Sequence, residues 1–153
     1  MTPGIGVADC HCLTLRSAAR RISNAYDQAL APTGLRLTQF AILSAVAEAA
    51  DTSVNGLAQA LELDRTTLGK NLRPLARDRL ISIVPDAADR RARQVRLTDR
   101  GWANLRRAVP LWQAAQRAFE AANGAERATE LRDDLRTLRA GGDALAEARM
   151  DAG

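Results

Sequence analysis

Residues 53–101 read SVNGLAQALELDRTTLGKNLRPLARDRLISIVPDAADRRARQVRLTDRG. Ser53 can cap a short helix through about Leu61, with Val54, Leu57, Ala58 and Leu61 turned inward and Asn55, Gln59 and Glu62 outward. Glu62-Leu63-Asp64 then reads as a tight turn, and Asp64 as the cap of a second helix from Arg65 to about Arg79. Leu68, Leu72 and Leu75 form the buried stripe of that helix, and Pro74 should weaken its last turn. Ile81-Ser82-Ile83-Val84 is β-branched and ends at Pro85, while Arg93-Gln94-Val95-Arg96-Leu97 alternates as a returning strand does. Asp86 to Ala92 is the tip between them. Two short helices followed by an arginine-tipped hairpin have the anatomy of a winged helix-turn-helix. That shape suits duplex DNA, with a helix for the major groove and a basic tip for the minor groove.

On either side the chain reads as helix. Leu15, Ala18, Ala19, Ile22, Ala25, Tyr26 and Ala29 recur three or four apart between about Asp9 and Ala31, and Pro32-Thr33-Gly34 stops them. A second helix is expected from about Thr38, as its N-cap, to Ala50, with Asp51-Thr52 breaking it. Thr98 caps a long helix to about Ala122, with Trp102, Leu105, Val109, Trp112, Ala115 and Phe119 near one face and a kink expected at Pro110. After Asn123-Gly124 a last helix carries Leu131, Leu135, Leu138, Ala140 and Leu145, loosened by Gly141-Gly142. The long helix needs more apolar cover than a small reader domain supplies, and pairing across a two-fold axis would provide it. The expected fold is therefore mainly α, a winged helix-turn-helix at 35–102, with N- and C-terminal dimerisation helices at 9–34 and 103–150.

Composition narrows the function. The 153 residues carry 22 Lys+Arg against 18 Asp+Glu, a net charge of +4, and Lys70 is the only lysine. Arginine's planar fork fits phosphates and guanine edges, although a GC-rich genome produces the same bias. Aromatic residues make up only 3% of the chain, which argues against a base-stacking RNA module. No apolar run approaches the roughly 20 residues needed to span a bilayer. The opening MTPGIGVADCHC lacks a charged start followed by an apolar block, so a cytoplasmic protein is expected. His11 is the only histidine, and no metal, cofactor or phosphate-loop motif accompanies it, so neither enzymatic activity nor a cofactor is expected.

Arg65, Thr66, Thr67, Lys70 and Arg73 lie on the outward face of the second short helix, where the first two turns can reach base edges. Threonine can meet a thymine methyl, and Lys70 or Arg65 can address guanine or phosphate. In the tip, Arg90, Arg91 and Arg93 crowd like charges together, an arrangement that an anionic partner relieves. Asp89 can hold one of them extended for a narrow minor groove.

The pattern Asp86-x-x-Asp89-Arg90-Arg91-x-x-x-Val95-x-Leu97-Thr98-x-x-Gly101 resembles the wing signature of the MarR family of bacterial transcription regulators. The flanking helices follow that family's order, so the resemblance covers nearly the whole chain. It implies a homodimer with interleaved terminal helices, bound to a pseudo-palindromic operator, usually as a repressor. It also implies that Arg91, paired with Asp89, enters the minor groove and that Arg90 touches phosphate. A pocket for aromatic carboxylates or phenols is implied between the dimerisation helices and the reader domain. Candidate lining residues are His11, Cys12, Arg16, Arg20, Phe40 and Trp112, although Trp112 also reads as plain core.

Two alternatives stay open. Cys10-His11-Cys12 is poorly spaced for zinc within one chain, but Cys12 at a helix start near Arg16 and Arg20 is placed to react with peroxides, which would make a redox sensor. Against that, Arg16 and Leu37 stand where the hydroperoxide-sensing branch of the family has tyrosines. The second alternative is a helical interaction module that uses the winged fold without touching DNA.

Overall fold

In the computed structural model, residues 6–49, 52–89 and 91–139 are described. The elements run α1 (His11–Leu30), α2 (Leu37–Glu48), β1 (Thr52–Ser53), α3 (Val54–Ala60), α4 (Arg65–Arg77), β2 (Ile81–Pro85), β3 (Arg93–Leu97), α5 (Asp99–Asn123) and α6 (Ala125–Thr137). The chain divides into two compact units, residues 1–115 and 116–153. Ala140, Gly141, Gly142 and Leu145 lie outside the described residues.

The first unit holds the winged helix-turn-helix. Its core joins Leu30, Ile42 and Leu43 of the leading helices to Leu57 of α3, Leu68 and Leu75 of α4, and Val95 of β3, all fully buried. Each such side chain contributes roughly 1.5–3 kcal/mol by leaving water. The expected stripe of α4 is thus observed, and α4 stays helical through Pro74 to Arg77, although the proline leaves the Lys70 carbonyl without its usual donor.

Helix α2 begins one residue earlier than expected, and Thr38 is not its cap. Asp27 of α1 reaches across, its Oδ1 accepting the Leu37 N–H at 2.7 Å, while Gln39 Oε1 accepts the Arg36 N–H at 3.0 Å. A carboxylate from another helix replaces the local threonine, a substitution that no local sequence rule contains.

Ser53 and Asp64 cap as expected: Ser53 Oγ accepts from Gly56 N at 3.0 Å, and Asp64 Oδ1 from Thr67 N at 2.8 Å. Thr52, read as part of a helix break, and Ser53, read as a cap, also form a short strand, giving an antiparallel sheet in the order β1-β3-β2. In its register Thr52 faces Val95, and Ile83 faces Val95 from the other side. Both reader helices end with a residue in the left-handed region, Glu62 at φ 51° and Arg79 at φ 57°. There Leu63 N–H bonds Ala58 O and Leu80 N–H bonds Leu75 O, each at 2.9 Å, which folds the chain back and buries Leu80.

Gly101 sets the junction between wing and α5. A Cβ at this position would run into the Leu80 carbonyl and lie 3.1 Å from Leu97 Cδ2, so only glycine lets α5 start this close to the α4–β2 connection. Thr98 holds the approach: its N–H bonds Leu80 O at 3.1 Å, its hydroxyl bonds Arg79 O at 2.6 Å, and the hydroxyl accepts from Gly101 N at 3.0 Å.

The terminal helices carry apolar side chains that this chain does not cover. Leu13 and Leu15 on α1, and Trp102 and Val109 on α5, are exposed, whereas Tyr26, Leu30, Leu105 and Ala108 are buried. In the second unit α6 buries Ala128 and exposes Leu131, Leu135 and Leu138. No single described helix is long and apolar enough to cross a membrane.

Candidate nucleic-acid interface

The first turn of α4 is built around Asp64. Its Oδ1 takes the Thr67 N–H and its Oδ2 the Thr67 hydroxyl at 2.6 Å, and these bonds hold the carboxyl below its ordinary range. Thr67 is therefore half-buried and engaged in the cap. Arg65, Thr66, Lys70 and Arg73 stand exposed on the outward face. Asn71 Nδ2 bonds the Thr67 carbonyl at 2.9 Å and braces the same turn. The N-terminal end of a helix carries positive partial charge, so this exposed basic face presents donors and cations together.

The wing is organised by Asp86, to which the sequence pattern alone assigns no role. Asp86 Oδ1 accepts from the main-chain N–H groups of Ala88 (2.7 Å) and Asp89 (2.9 Å), and Oδ2 accepts from Gln94 Nε2. The Gln94 amide and the two main-chain donors hold the Asp86 carboxyl below the usual range. Asp86 N–H to Ala92 O (3.0 Å) and Ala92 N–H to Asp89 O (2.9 Å) close the tip. Asp89 Oδ1 accepts the main-chain N–H of Arg91 at 2.9 Å, so it shapes the backbone from which Arg91 projects. Arg91 and Arg93 are exposed, and Arg90 lies outside the described residues. Among the described residues, Arg65, Lys70, Arg73, Arg91 and Arg93 enter no ion pair. A capped helix face and a hydrogen-bonded wing tip thus present cations without ion-pair partners, as binding to a phosphate backbone requires.

The residues expected to line an effector pocket separate into two groups. Phe40 and Trp112 stack with centroids 5.6 Å apart and planes at 25°, Phe40 buried and Trp112 half-buried against the core. His11, Cys12, Arg16 and Arg20 are exposed on the first half of α1. Both cysteines are free thiols, Cys12 exposed and Cys10 half-buried. Among the described residues no cluster of His, Cys, Asp and Glu could hold a metal ion.

Comparison with known proteins accounts for this arrangement. The sequence model of the MarR family matches residues 33–92, from the turn before α2 to the tip of the wing. The M. tuberculosis transcriptional regulator MosR, solved in complex with DNA, is 37% identical over 92% of this chain and 99% of its own, with a TM-score of 0.77. The chain belongs to the MarR family. A second MosR structure agrees at 36% identity, covering 90% of this chain and 97% of that one, with a TM-score of 0.74. Bordetella bronchiseptica BpsR, whose DNA binding is regulated by 6-hydroxynicotinic acid, is 25% identical over 87% of this chain and 97% of its own, with a TM-score of 0.75. A search of the curated proteins found no match.

The chain is accordingly a DNA-binding transcription regulator of the MarR family, whose members are not enzymes. The interaction-module alternative falls with that assignment. Within the family signature, Asp86 and Asp89 shape the tip, Val95 anchors β3 in the core, and Thr98 and Gly101 fasten α5. Sequence reasoning missed Gln94, which fixes Asp86 from the opposite strand; a polar residue facing the tip of a strand pair is the signal it left.

Proposed function

We propose that the protein works as a cytoplasmic homodimer that represses transcription by occupying a pseudo-palindromic operator. The N-terminal end of α4 enters the major groove, where Thr66 and Lys70 address bases and Arg65 and Arg73 address phosphates; Thr67 stays with its cap. Arg91, presented by the Asp86–Asp89 scaffold, enters the minor groove, with Arg90 and Arg93 on the backbone. The observation that carries this reading is the coexistence of the exposed cationic face of α4 with a rigid arginine wing. The exposed leucines of α1 and α6 supply the apolar surface for pairing terminal helices across the two-fold axis. Two readers of this kind fit half-sites about 34 Å apart.

Control is assigned to a small aromatic carboxylate or phenol bound against the Phe40–Trp112 stack; Arg16 and Arg20, with His11 and Cys12 on the same exposed half of α1, are the counter-ions this reading requires to be brought to it. BpsR, regulated by a hydroxylated aromatic acid, supports that ligand class. Release follows if the ligand favours a dimer whose readers no longer match successive major grooves. A second reading, oxidation of Cys12, rests on its exposure as a free thiol at the start of α1.

Operator binding followed by fluorescence anisotropy tests the reading. Arg91→Ala should weaken binding about tenfold or more without changing thermal stability. Unchanged affinity removes the wing from the interface. Addition of a phenolic-acid panel or an organic hydroperoxide should release the DNA, and retention under both removes the control mechanism while leaving the binding.

A further inference from the structure

The corner between α1 and α2 is fastened by side chains that come from other helices. Residues Ala31–Thr33 form a single tight turn, and Gly34, at φ 75°, reverses the chain. Inside that turn the Thr33 hydroxyl bonds Leu30 O at 2.6 Å and the Gly34 N–H bonds Ala31 O at 3.0 Å. The next two carbonyls are met from α5: Arg107 Nη2 donates to Pro32 O and Asn104 Nδ2 to Thr33 O, each at 3.2 Å. At the other end of the corner, Asp27 of α1 takes the Leu37 N–H and pairs with Arg36 at 3.3 Å.

Three observations set the two α5 bonds apart from ordinary packing. First, a cleft of about 260 Å³ lies between the corner and α5, with Thr33, Leu35, Leu80, Asn104 and Arg107 in its lining. Where two surfaces do not close on each other, bonds that bridge the gap fix the distance across it. Second, Asn104 Oδ1 is buried with no hydrogen-bond partner among the described residues. A half-satisfied buried amide has a cost that an apolar side chain would avoid, which leaves the directional bond to Thr33 O as its contribution. Third, the start of α5 is locked to the wing, since Thr98 N–H bonds Leu80 O and Gly101 leaves no room for a Cβ beside the same carbonyl. The first three turns of α5 therefore tie the corner, and the direction in which α1 leaves it, to the position of the wing.

We infer that Asn104 and Arg107 are positioning residues for DNA binding. They touch no DNA; they set the angle at which α1 leaves the reader, and with it the separation of two readers in a dimer. The inference rests on the dimeric operator reading above. Leu30 and Leu35 anchor the corner in the core, but apolar burial is non-directional, whereas bonds to two successive carbonyls fix an orientation. With the bonds gone, the apparent affinity falls by the fraction of dimers whose readers are still in register. If each protomer keeps register about a third of the time, about a tenth of dimers stay competent, a loss of about tenfold. A duplex with a single half-site engages one reader and does not sense the separation.

Fluorescence anisotropy of the full-length protein tests this on two duplexes. One is a palindrome selected from a random-sequence pool by the unaltered protein, and the other is the same duplex with one half scrambled. Asn104→Ala and Arg107→Ala should each weaken binding to the palindrome about tenfold, and to the single half-site by less than about twofold. Arg107→Lys, which keeps a cationic donor, should restore most of the palindrome affinity. The salt slope on the half-site should stay the same, whereas loss of a phosphate contact would lower it by about one. Without DNA, nitroxides at the exposed position of Gln59→Cys, in a Cys10→Ser, Cys12→Ser background, should report one narrow separation between paired protomers by dipolar coupling. Either alanine should broaden it. Equal weakening on both duplexes, unchanged palindrome affinity, a lower salt slope or an unbroadened separation overturns the inference and leaves the dimeric reader standing. If the unaltered protein selects no palindrome, or shows no coupling between protomers, the proposed function falls and this inference with it.

Discussion

Replacing Gly101 with alanine should destabilise the protein, and the same replacement at Gly69 should stabilise it. At Gly101 the new Cβ meets the Leu80 carbonyl oxygen, with Leu80 C at 3.0 Å and Leu97 Cδ2 at 3.1 Å. Backbone on one side and a packed leucine on the other leave relief only through movement of α5. That movement lengthens the Thr98 N–H bond to Leu80 O and the Thr98 hydroxyl bond to Arg79 O, now 3.1 and 2.6 Å. Two hydrogen bonds at about 1 kcal/mol each, together with about 1–2 kcal/mol of overpacking, outweigh the helix propensity regained, about 1 kcal/mol. The net loss is about 2–3 kcal/mol, a fall in melting temperature of roughly 4–12 °C for a chain of this size. Gly69 sits inside α4 with nothing within 4 Å of an added methyl, so there the propensity gain of about 1 kcal/mol stands alone. Urea unfolding at one fixed protein concentration measures both. The reasoning is refuted if Gly101→Ala unfolds within about 0.5 kcal/mol of the unaltered protein, the scatter of ordinary surface changes.

Three further outcomes are expected. Arg65→Ala should lower the slope of log affinity against log salt by about one while leaving base preference intact, as removal of a phosphate contact does; an unchanged slope in an anisotropy titration assigns Arg65 elsewhere. Asp64 and Asp86 have folded-state values held below the ordinary one near 3.8, so their contribution is complete above that value and is lost as pH falls through the depressed one. Asp64→Asn and Asp86→Asn should each flatten the acid limb of a stability–pH profile below about pH 4, since an amide keeps one of the two acceptor oxygens and removes the titration; an acid limb as steep as before excludes these carboxylates as its source. Cys12→Ser should leave operator affinity without effector unchanged, and loss of hydroperoxide-driven release on this substitution in an operator-binding assay would make the thiol the sensor.

Periodicity and caps made the reader domain legible, because they are local. The stripe Leu68, Leu72, Leu75 and the carboxylate of Asp64 act within one or two turns, and the structure returns them as read. The wing was legible for the same reason, since Ile81–Pro85 and Arg93–Leu97 pair across a short tip. Other features depend on partners far along the chain. Asp27 caps α2 in place of Thr38 because folding brings α1 beside Leu37, and Thr52-Ser53 becomes a strand only because Val95 and Gln94 lie next to it. The chain reversals at Glu62 and Arg79 carry no glycine, so their left-handed backbone left no signal; burial of Leu80 and the bonds to Ala58 and Leu75 impose it.

The candidate site divides along the same line. Which side chains face outward on α4 followed from a 3.6-residue repeat, and the structure adds that Thr67 bonds the Asp64 cap. That Phe40 stacks on Trp112, and that Arg100, Asn104 and Arg107 face a cleft closed by Thr33 and Leu80, was decided by packing between helices dozens of residues apart. Sequence alone determined the reader, since hydrogen-bond caps and apolar repeats act over a few residues. Tertiary structure decided the clefts and clamps, because a cavity exists only where distant surfaces fail to close on each other.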